Sequence, residues 1–330
     1  MPQKDLEIVC PAGTPAAFAA AVEAGADAVY AGFRDETNAR NFPGLNFDRD
    51  EMADAIHLAH SRGVRVFIAI NTYPRAGDPA PWHRAIDDAS RLKADAVILA
   101  DIGLVEYAAL HHPDLRRHLS VQASAANSAA IRYLSREFGI RRVVLPRVLT
   151  LPQITALNHA IEVETEVFAF GGLCVMAEGR CALSSWVTGR SPNMNGVCSP
   201  AEHVRYERDG DILVSKLNGL TVNRFAPDEP AAYPTLCKGR FRVCEKDRYL
   251  FEEPASLDAR AILGEFRAAG VRAVKIEGRQ RGRAYIARVI RAFREAIDAL
   301  HAGRPLPPSE LEDLREGGEG TTGAYRKEWR

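Results

Sequence analysis

An α/β fold of the TIM-type (β/α)8 barrel class is predicted for this chain of 330 residues by three observations. Short β-branched or apolar runs alternate with amphipathic stretches of about a dozen residues, the pattern of successive βα units with a parallel sheet. Eight such runs occur, whereas open doubly wound sheets usually stop at about five or six strands. Gly25, Gly63, Gly139 and Gly270 each close an amphipathic run just before the next strand begins.

In chain order, the apolar run Leu6–Cys10 leads into a helix from near Thr14, an N-cap residue type, that ends at Gly25. The second strand, Ala28–Gly32, precedes a helix capped by Asp48 and closed by Gly63. Strands at Arg65–Asn71 and Ala96–Ala100 are followed by helices starting near Pro79 and Ile102. The fifth and sixth strands are expected at Leu119–Gln122 and Arg142–Leu145, with helices from near Asn127, closed by Gly139, and from near Thr150. The seventh is Val163–Phe170, and the eighth, Ala273–Glu277, lies between a helix capped by Ser256 and a last helix from Arg283 to His301.

The repeat breaks once, so barrel sequence is expected over 1–171 and 254–303, with an insertion over 172–253. An insertion there follows the C-terminal end of strand seven, on the face where barrel enzymes build their sites. Residues 304–330, with three prolines and a Glu-Gly-Gly-Glu-Gly run, read as a C-terminal surface extension.

Hydrophobic residues at 46% and charged residues at 26% give an ordinary globular composition with a sizeable core, which excludes disorder as the default. Lys plus Arg equals Asp plus Glu at 43 each, so no global field favours nucleic acid or anionic lipid. Met1–Glu7 has none of the features of a signal peptide, and no apolar run approaches the ~18 residues of a membrane span. A cytoplasmic location is expected. In that compartment six cysteines argue for metal or redox chemistry over disulfides.

Four of those cysteines, Cys174, Cys181, Cys198 and Cys237, lie in the insertion, each flanked by glycine or proline. Such residues let the backbone turn around an inorganic centre with amide N–H groups aimed at its sulfurs. Arg180, Lys238 and Arg240 stand beside them, and positive charge favours thiolate. The gaps match neither a dense ferredoxin run nor a zinc ribbon, so spacing alone does not name the metal; the residues point to metal binding with iron–sulfur and zinc level, and buried core thiols, weakened by the polar, glycine-rich surroundings, are the alternative. Cys10 sits in an apolar strand and reads as a core thiol; Cys244 is an alternative fourth ligand, in a segment that reads as strand or strand end.

A barrel gathers the polar residues at its strand ends into one mouth. The candidates are Asn38, Arg40, Asn71, Gln122, Arg147, Lys275, Glu277 and Arg279, together with Asp101 and Ser124. Arg147 and Arg279, with Arg40 as a third, offer forks suited to carboxylates, although an arginine at a strand end is often only a solvated ion pair. Asp101 serves equally well as a helix cap, and Lys275 and Glu277, two apart on one strand, suit a structural ion pair. Glu178, between the first two cysteines, would orient a metal ligand or move a proton, or be purely structural. His57, His60, His111 and His112 read as surface residues. The signatures of serine hydrolases, zinc peptidases, P-loops and dinucleotide folds are absent, which argues against a peptidase.

Further stretches carry a resemblance over nearly the full chain. They are Cys-Pro-Ala-Gly at 10–13, Gly-Ala-Asp-Ala-Val-Tyr at 25–30, Thr-Asn-Ala-Arg at 37–40, Ile-Ala-Ile-Asn-Thr at 68–72, Ser-Val-Gln-Ala-Ser at 120–124 and Val-Val-Leu-Pro-Arg-Val-Leu at 143–149. Cys-Val-Met-Ala-Glu-Gly-Arg-Cys at 174–181, Tyr-Pro-Thr-Leu-Cys-Lys-Gly-Arg at 233–240 and Val-Lys-Ile-Glu-Gly-Arg-Gln-Arg at 274–281 complete the set. Together they resemble the ubiquinone-biosynthesis branch of the collagenase-like peptidase family, other members of which act in RNA hydroxylation. The resemblance implies a subunit of an oxygen-independent hydroxylase of the ubiquinone ring, working as a heterodimer with its paralogue UbiV and with the lipid-carrier protein UbiT on a ubiquinone precursor. It also implies a [4Fe-4S] cluster on Cys174, Cys181, Cys198 and Cys237, with Cys244 a spare thiol, and prephenate as hydroxyl donor. An RNA-base hydroxylation factor of the same fold, and a non-catalytic electron-transfer or stabilising subunit, are the alternatives.

Overall fold

The computed structural model describes residues 6–174, 181–192, 198–229, 231–315 and 319–326. Seven parallel strands follow one another: β1 (Glu7–Pro11), β2 (Ala28–Ala31), β3 (Arg65–Ile70), β4 (Ala96–Leu99), β5 (Arg116–Leu119), β6 (Ile140–Val144) and β7 (Glu164–Gly172). An eighth, Ala273–Ile276, is β14 once the strands of the intervening segment are counted; it pairs in parallel with both β7 and β1 and closes the barrel. The TIM-type α/β barrel expected from the repeat is therefore present.

Helices α1 (Pro15–Glu23), α2 (Arg49–Ser61), α3 (Ala80–Arg91), α4 (Ile102–His111), α5 (Ser128–Phe138) and α6 (Leu151–Ala160) alternate with the strands. Their starts follow local chemistry. Thr14 Oγ1 accepts from Ala17 N–H at 3.2 Å, and Asp48 and Thr150 each form a reciprocal capping box with Glu51 and Gln153. Asp101 accepts from Leu104 N–H at 3.1 Å, so its helix-cap role holds.

Because side chains alternate along a strand, the barrel has two different faces. Ile8, Val29, Ile68, Val97 and Val274 join Phe18, Ile86 and Phe293 of the helices in one apolar cluster. Each of the larger ones contributes roughly 1.5–3 kcal/mol by burial. Cys10 belongs to this layer, fully buried, as expected of a core thiol. The inner face carries Val9, Ala28, Tyr30, Phe67, Ala69 and Ala96. Small alanines there leave room for long charged side chains.

Those charges fill the N-terminal end of the barrel, its floor. Arg142 is completely buried and donates to Glu7 and Glu164 at 2.7 Å and to Glu166 at 3.3 Å. Arg65 and Arg272 pair with Glu7 at 2.9 and 2.5 Å, and Arg116 with Glu164 at 2.6 Å. Higher up, the Lys275 ammonium lies 2.7 Å from Glu166 and 3.7 Å above the ring of Tyr30.

Two expectations are corrected. Strand five runs over Arg116–Leu119, and Gln122 falls on a 3-10 turn over 121–123 whose cap is Ser120. Arg-Arg-His-Leu is polar because Arg116 and His118 face the charged interior. Ser256 begins β13 (Ser256–Asp258), antiparallel to the end of β7, rather than capping a helix; α8 (Leu263–Ala268) starts later, behind a 3-10 turn. After α9 (Arg283–His301) the tail runs along the barrel, mostly exposed or half-buried, and is anchored there: Leu311 and Tyr325 are buried, Tyr325 donates to Phe168 O at 2.6 Å, and β15 (Gly320–Thr321) pairs with β13.

Between β7 and β13 lie α7 (Ala182–Thr188), the antiparallel strands β8 (Val204–Asp209), β9 (Ile212–Leu217) and β10 (Leu220–Phe225), and the hairpin β11 (Arg240–Val243) with β12 (Lys246–Tyr249). They enclose a small core of Val187, Leu217, Val222 and Leu236. Among the described residues no helix is long and apolar enough to cross a membrane.

Candidate functional site at the barrel mouth

At the C-terminal ends of the strands the interior opens into a cavity of about 210 Å³, lined by side chains from many strands. Arg40, Asn71, Gln122, Arg147, Lys275, Glu277 and Arg279 all contribute to it. Tyr30 and Phe168 line it too. The sequence reading missed these two, although they share strand parity with the inward-facing Ala28 and Glu166.

Lys275 and Glu277 do not pair with each other. Lys275 is held by Glu166, whereas Glu277, just beyond the strand, accepts from Arg147 Nη2 at 2.5 Å and lies 3.6 Å from Arg40 Nη2. Burial pushes the Glu277 carboxyl up, but Arg147 and Arg40 outweigh it and hold the group below its usual range, so it is ionised at neutral pH. The Arg147 guanidinium also stacks on Phe168, 3.5 Å from the ring centre. Gly171, at φ 120°, makes this approach possible, since a Cβ there would sit 2.8 Å from the Glu277 backbone oxygen.

Asn38 does not line the cavity. It is buried and works behind it: its Oδ1 accepts from Arg279 Nη1 at 2.7 Å and from Arg40 N–H at 3.1 Å, while its Nδ2 donates to Phe33 O at 3.2 Å. Gly32 leaves space for it, because a Cβ would stand 2.4 Å from Nδ2. Asn71 pins the same loop by accepting from Ala39 N–H at 3.1 Å. Burial draws the Arg279 guanidinium down to about 10, which leaves it charged at neutral pH. Ser124 is exposed and turned away in a left-handed conformation at φ 54°.

A second, larger cavity adjoins the first and shares Arg40, Glu277, Gln280, Arg281 and Tyr285 with it. Cys174, Cys181, Cys198 and Cys237 all line this second space. Their thiols are close enough to influence one another. Burial, then the neighbouring Cys198 and Cys174, pushes the Cys237 thiol up to about 12, against the pull of Lys238. Burial also raises Cys198, which Arg40 partly offsets.

Among the described residues, no group of three or more His, Cys, Asp or Glu side chains closes tightly enough for a single metal ion. Cys244 does not line the cavity. It and Glu245 are the central pair of the β11–β12 hairpin, at φ 49° and 62°, so of the expected strand or strand end it is the end, just after β11. Lys238 is buried and acts on both Cys237 and Glu277, whereas Arg240 pairs with Glu229 at 2.9 Å. Glu178 and Arg180 lie outside the described residues. His60 and His112 pair with Asp95 and Asp87 on the outside of the barrel, and neither cavity is lined by a histidine among the described residues.

Residues 13–322 match the sequence profile of peptidase family U32. The chain is 32% identical to the tRNA hydroxylation protein P of Escherichia coli over 327 aligned positions, covering 93% of this chain and 71% of that protein. It is 31% identical to a 23S rRNA 5-hydroxycytidine synthase of the same organism, covering 89% of this chain and 40% of that protein. Similarity to the collagenase of Porphyromonas gingivalis is 29% identity, over 91% of this chain and 67% of that one.

Proposed function

The chain belongs to peptidase family U32, and from that premise we propose that it is a UbiU-type iron–sulfur subunit of an oxygen-independent hydroxylase of the ubiquinone ring. The observation that carries the reading is the junction of two cavities, one lined by four cysteines and one by cationic side chains, through Arg40 and Glu277. A [4Fe-4S] cluster on Cys174, Cys181, Cys198 and Cys237 would supply one-electron chemistry.

The chain's own groups prepare the reacting partners. Arg147 and Arg279 receive carboxylate, consistent with prephenate as hydroxyl donor, and Glu277 holds Arg147 and Arg40 at the boundary of the two cavities. Tyr30 and Phe168 offer ring surface. Working with UbiV, and with UbiT carrying the apolar ubiquinone precursor, such a subunit would act in the cytoplasm; the barrel and the segment over 172–253 are then its substrate and cluster domains.

The names of the RNA-hydroxylating relatives favour a second reading, a hydroxylation factor for an RNA base. A formal charge of zero weighs against a nucleic-acid surface, which gains its affinity from phosphate neutralisation. Peptide hydrolysis lacks a histidine base in either cavity among the described residues. The deciding experiment compares quinones and modified nucleosides in cells lacking this gene, grown without oxygen. A ubiquinone precursor missing ring hydroxyls is expected. Unchanged quinones with loss of a hydroxylated RNA base would overturn the assignment.

A further inference from the structure

The barrel cavity contains a polar group that has no partner among the described residues. Gln122 is 4% exposed, lines the cavity, and has its Oε1 buried with no hydrogen-bond partner among the described residues. Its backbone is held on both sides: the Ser120 hydroxyl accepts from its N–H at 3.3 Å, and its carbonyl accepts from the Tyr73 hydroxyl at 2.8 Å. The turn therefore fixes where the amide stands. A buried amide without a partner is unfavourable until a ligand completes it.

The chemistry of that ligand follows from three features. An amide's oxygen and nitrogen exchange places on a flip, so the group that satisfies this position in either orientation both donates and accepts, as a hydroxyl does. Lys275 and Arg279 line the same cavity and suit a carboxylate. Ile98, Val144 and Phe168 provide an apolar wall, and since a cavity of roughly 150 Å³ takes benzene, the space here admits one substituted ring.

Resting on the reading of this cavity as the substrate site, we propose that Gln122 is a specificity-determining residue that hydrogen-bonds the hydroxyl of a small cyclic carboxylic acid. Recognition of this kind discriminates strongly, because a ligand lacking the hydroxyl leaves the buried amide unpaired.

The test is isothermal titration of the full chain, purified without oxygen, with para-hydroxybenzoate and with benzoate. The hydroxy acid is expected to bind tighter by about tenfold or more. Gln122→Leu, or Gln122→Met should the first variant fail to fold, abolishes that preference. Equal affinities for the two acids, as a resident water on Gln122 would give, overturn the proposal. So does failure of both acids to bind at millimolar concentration, or a preference that survives in the variant. These affinities are independent of iron content and quinone analysis. Intact quinones in deleted cells would sink the ubiquinone reading alone, and lost selectivity beside a quinone defect would sink only the role of Gln122.

Discussion

The two ends of the barrel interior are built from the same residue types and differ in what they face. At the floor one guanidinium, Arg142, is wrapped by Glu7, Glu164 and Glu166 and shut away from solvent. At the mouth Arg40 and Arg147 both reach Glu277 where the two cavities meet, while Arg279 leans on a neutral amide, Asn38. The oxygen of buried Gln122 has no hydrogen-bond partner among the described residues. A charge cluster closed off from solvent holds a fold together; one that lines a cavity beside such an amide is organised for something that arrives.

The sharpest way to break this contrast is at the floor. Arg142→Met removes the guanidinium that bridges Glu7, Glu164 and Glu166, and removing one partner of a buried charge network costs roughly 3–5 kcal/mol. Urea denaturation should show a midpoint lowered by that amount divided by the slope, with the slope unchanged. A variant as stable as the parent would mean that the floor is no more essential than a surface cluster.

Next in size is the cavity of the cysteines. Replacing Cys174, Cys181, Cys198 or Cys237 by serine should remove most of the bound iron and sulfide from anaerobically purified protein, whereas Cys244→Ser, in its exposed hairpin turn, should leave both intact. Metal analysis that finds zinc in place of iron, or equal iron loss in Cys244→Ser, would remove the inorganic half of the argument.

Acid provides a milder probe of the floor. Burial, reinforced by Arg142 and Arg116, pushes the His118 imidazole well below its usual 6.5, so it stays neutral. A base depressed on folding contributes stability that is complete above its unfolded value and declines as the pH falls below about 6.5. Glu7 and Glu164 are raised by burial but lowered further by Arg142; their contribution is present above about 4.5 and is lost at lower pH still. Stability should therefore fall in two stages on acidification, and His118→Phe should delete the upper one. A flat profile between pH 7 and 5 in the parent protein would contradict the buried, uncharged histidine.

How much of this was legible in the sequence depends on which face a residue serves. The outer layer announced itself through apolar runs, capping residues and glycines, and the helix over Arg283–His301 has the bounds expected of it. The inner layer was opaque. In Val-Glu-Thr-Glu-Val the alternating glutamates imitate a solvated strand face, yet Glu166 is fully buried, because its partners Arg142 and Lys275 come from strands that only the closed barrel brings near. Strand five was misplaced for the same reason. Ser-Val-Gln-Ala-Ser looks more strand-like than Arg-Arg-His-Leu unless the charged interior is already known. The mouth was readable as a set of residue types at strand ends, but the pairing of Glu277 with Arg147 rather than Lys275 is a property of three-dimensional closure.

The smallest expected effect makes the finest distinction. Glu277→Gln preserves shape and leaves Arg147 an amide oxygen to donate to, and the site is partly open to solvent, so stability should change by less than about 1 kcal/mol. The change should appear in binding instead. Removing a carboxylate that offsets Arg40 and Arg147 raises the positive charge of the cavity, and benzoate should bind several-fold tighter at low salt, with the gain shrinking as salt screens it. If this variant unfolded as readily as Arg142→Met, or if benzoate bound more weakly, Glu277 would be a structural member like the floor glutamates. The mouth would then be a second closed cluster, and its cations would no longer argue for an anionic ligand.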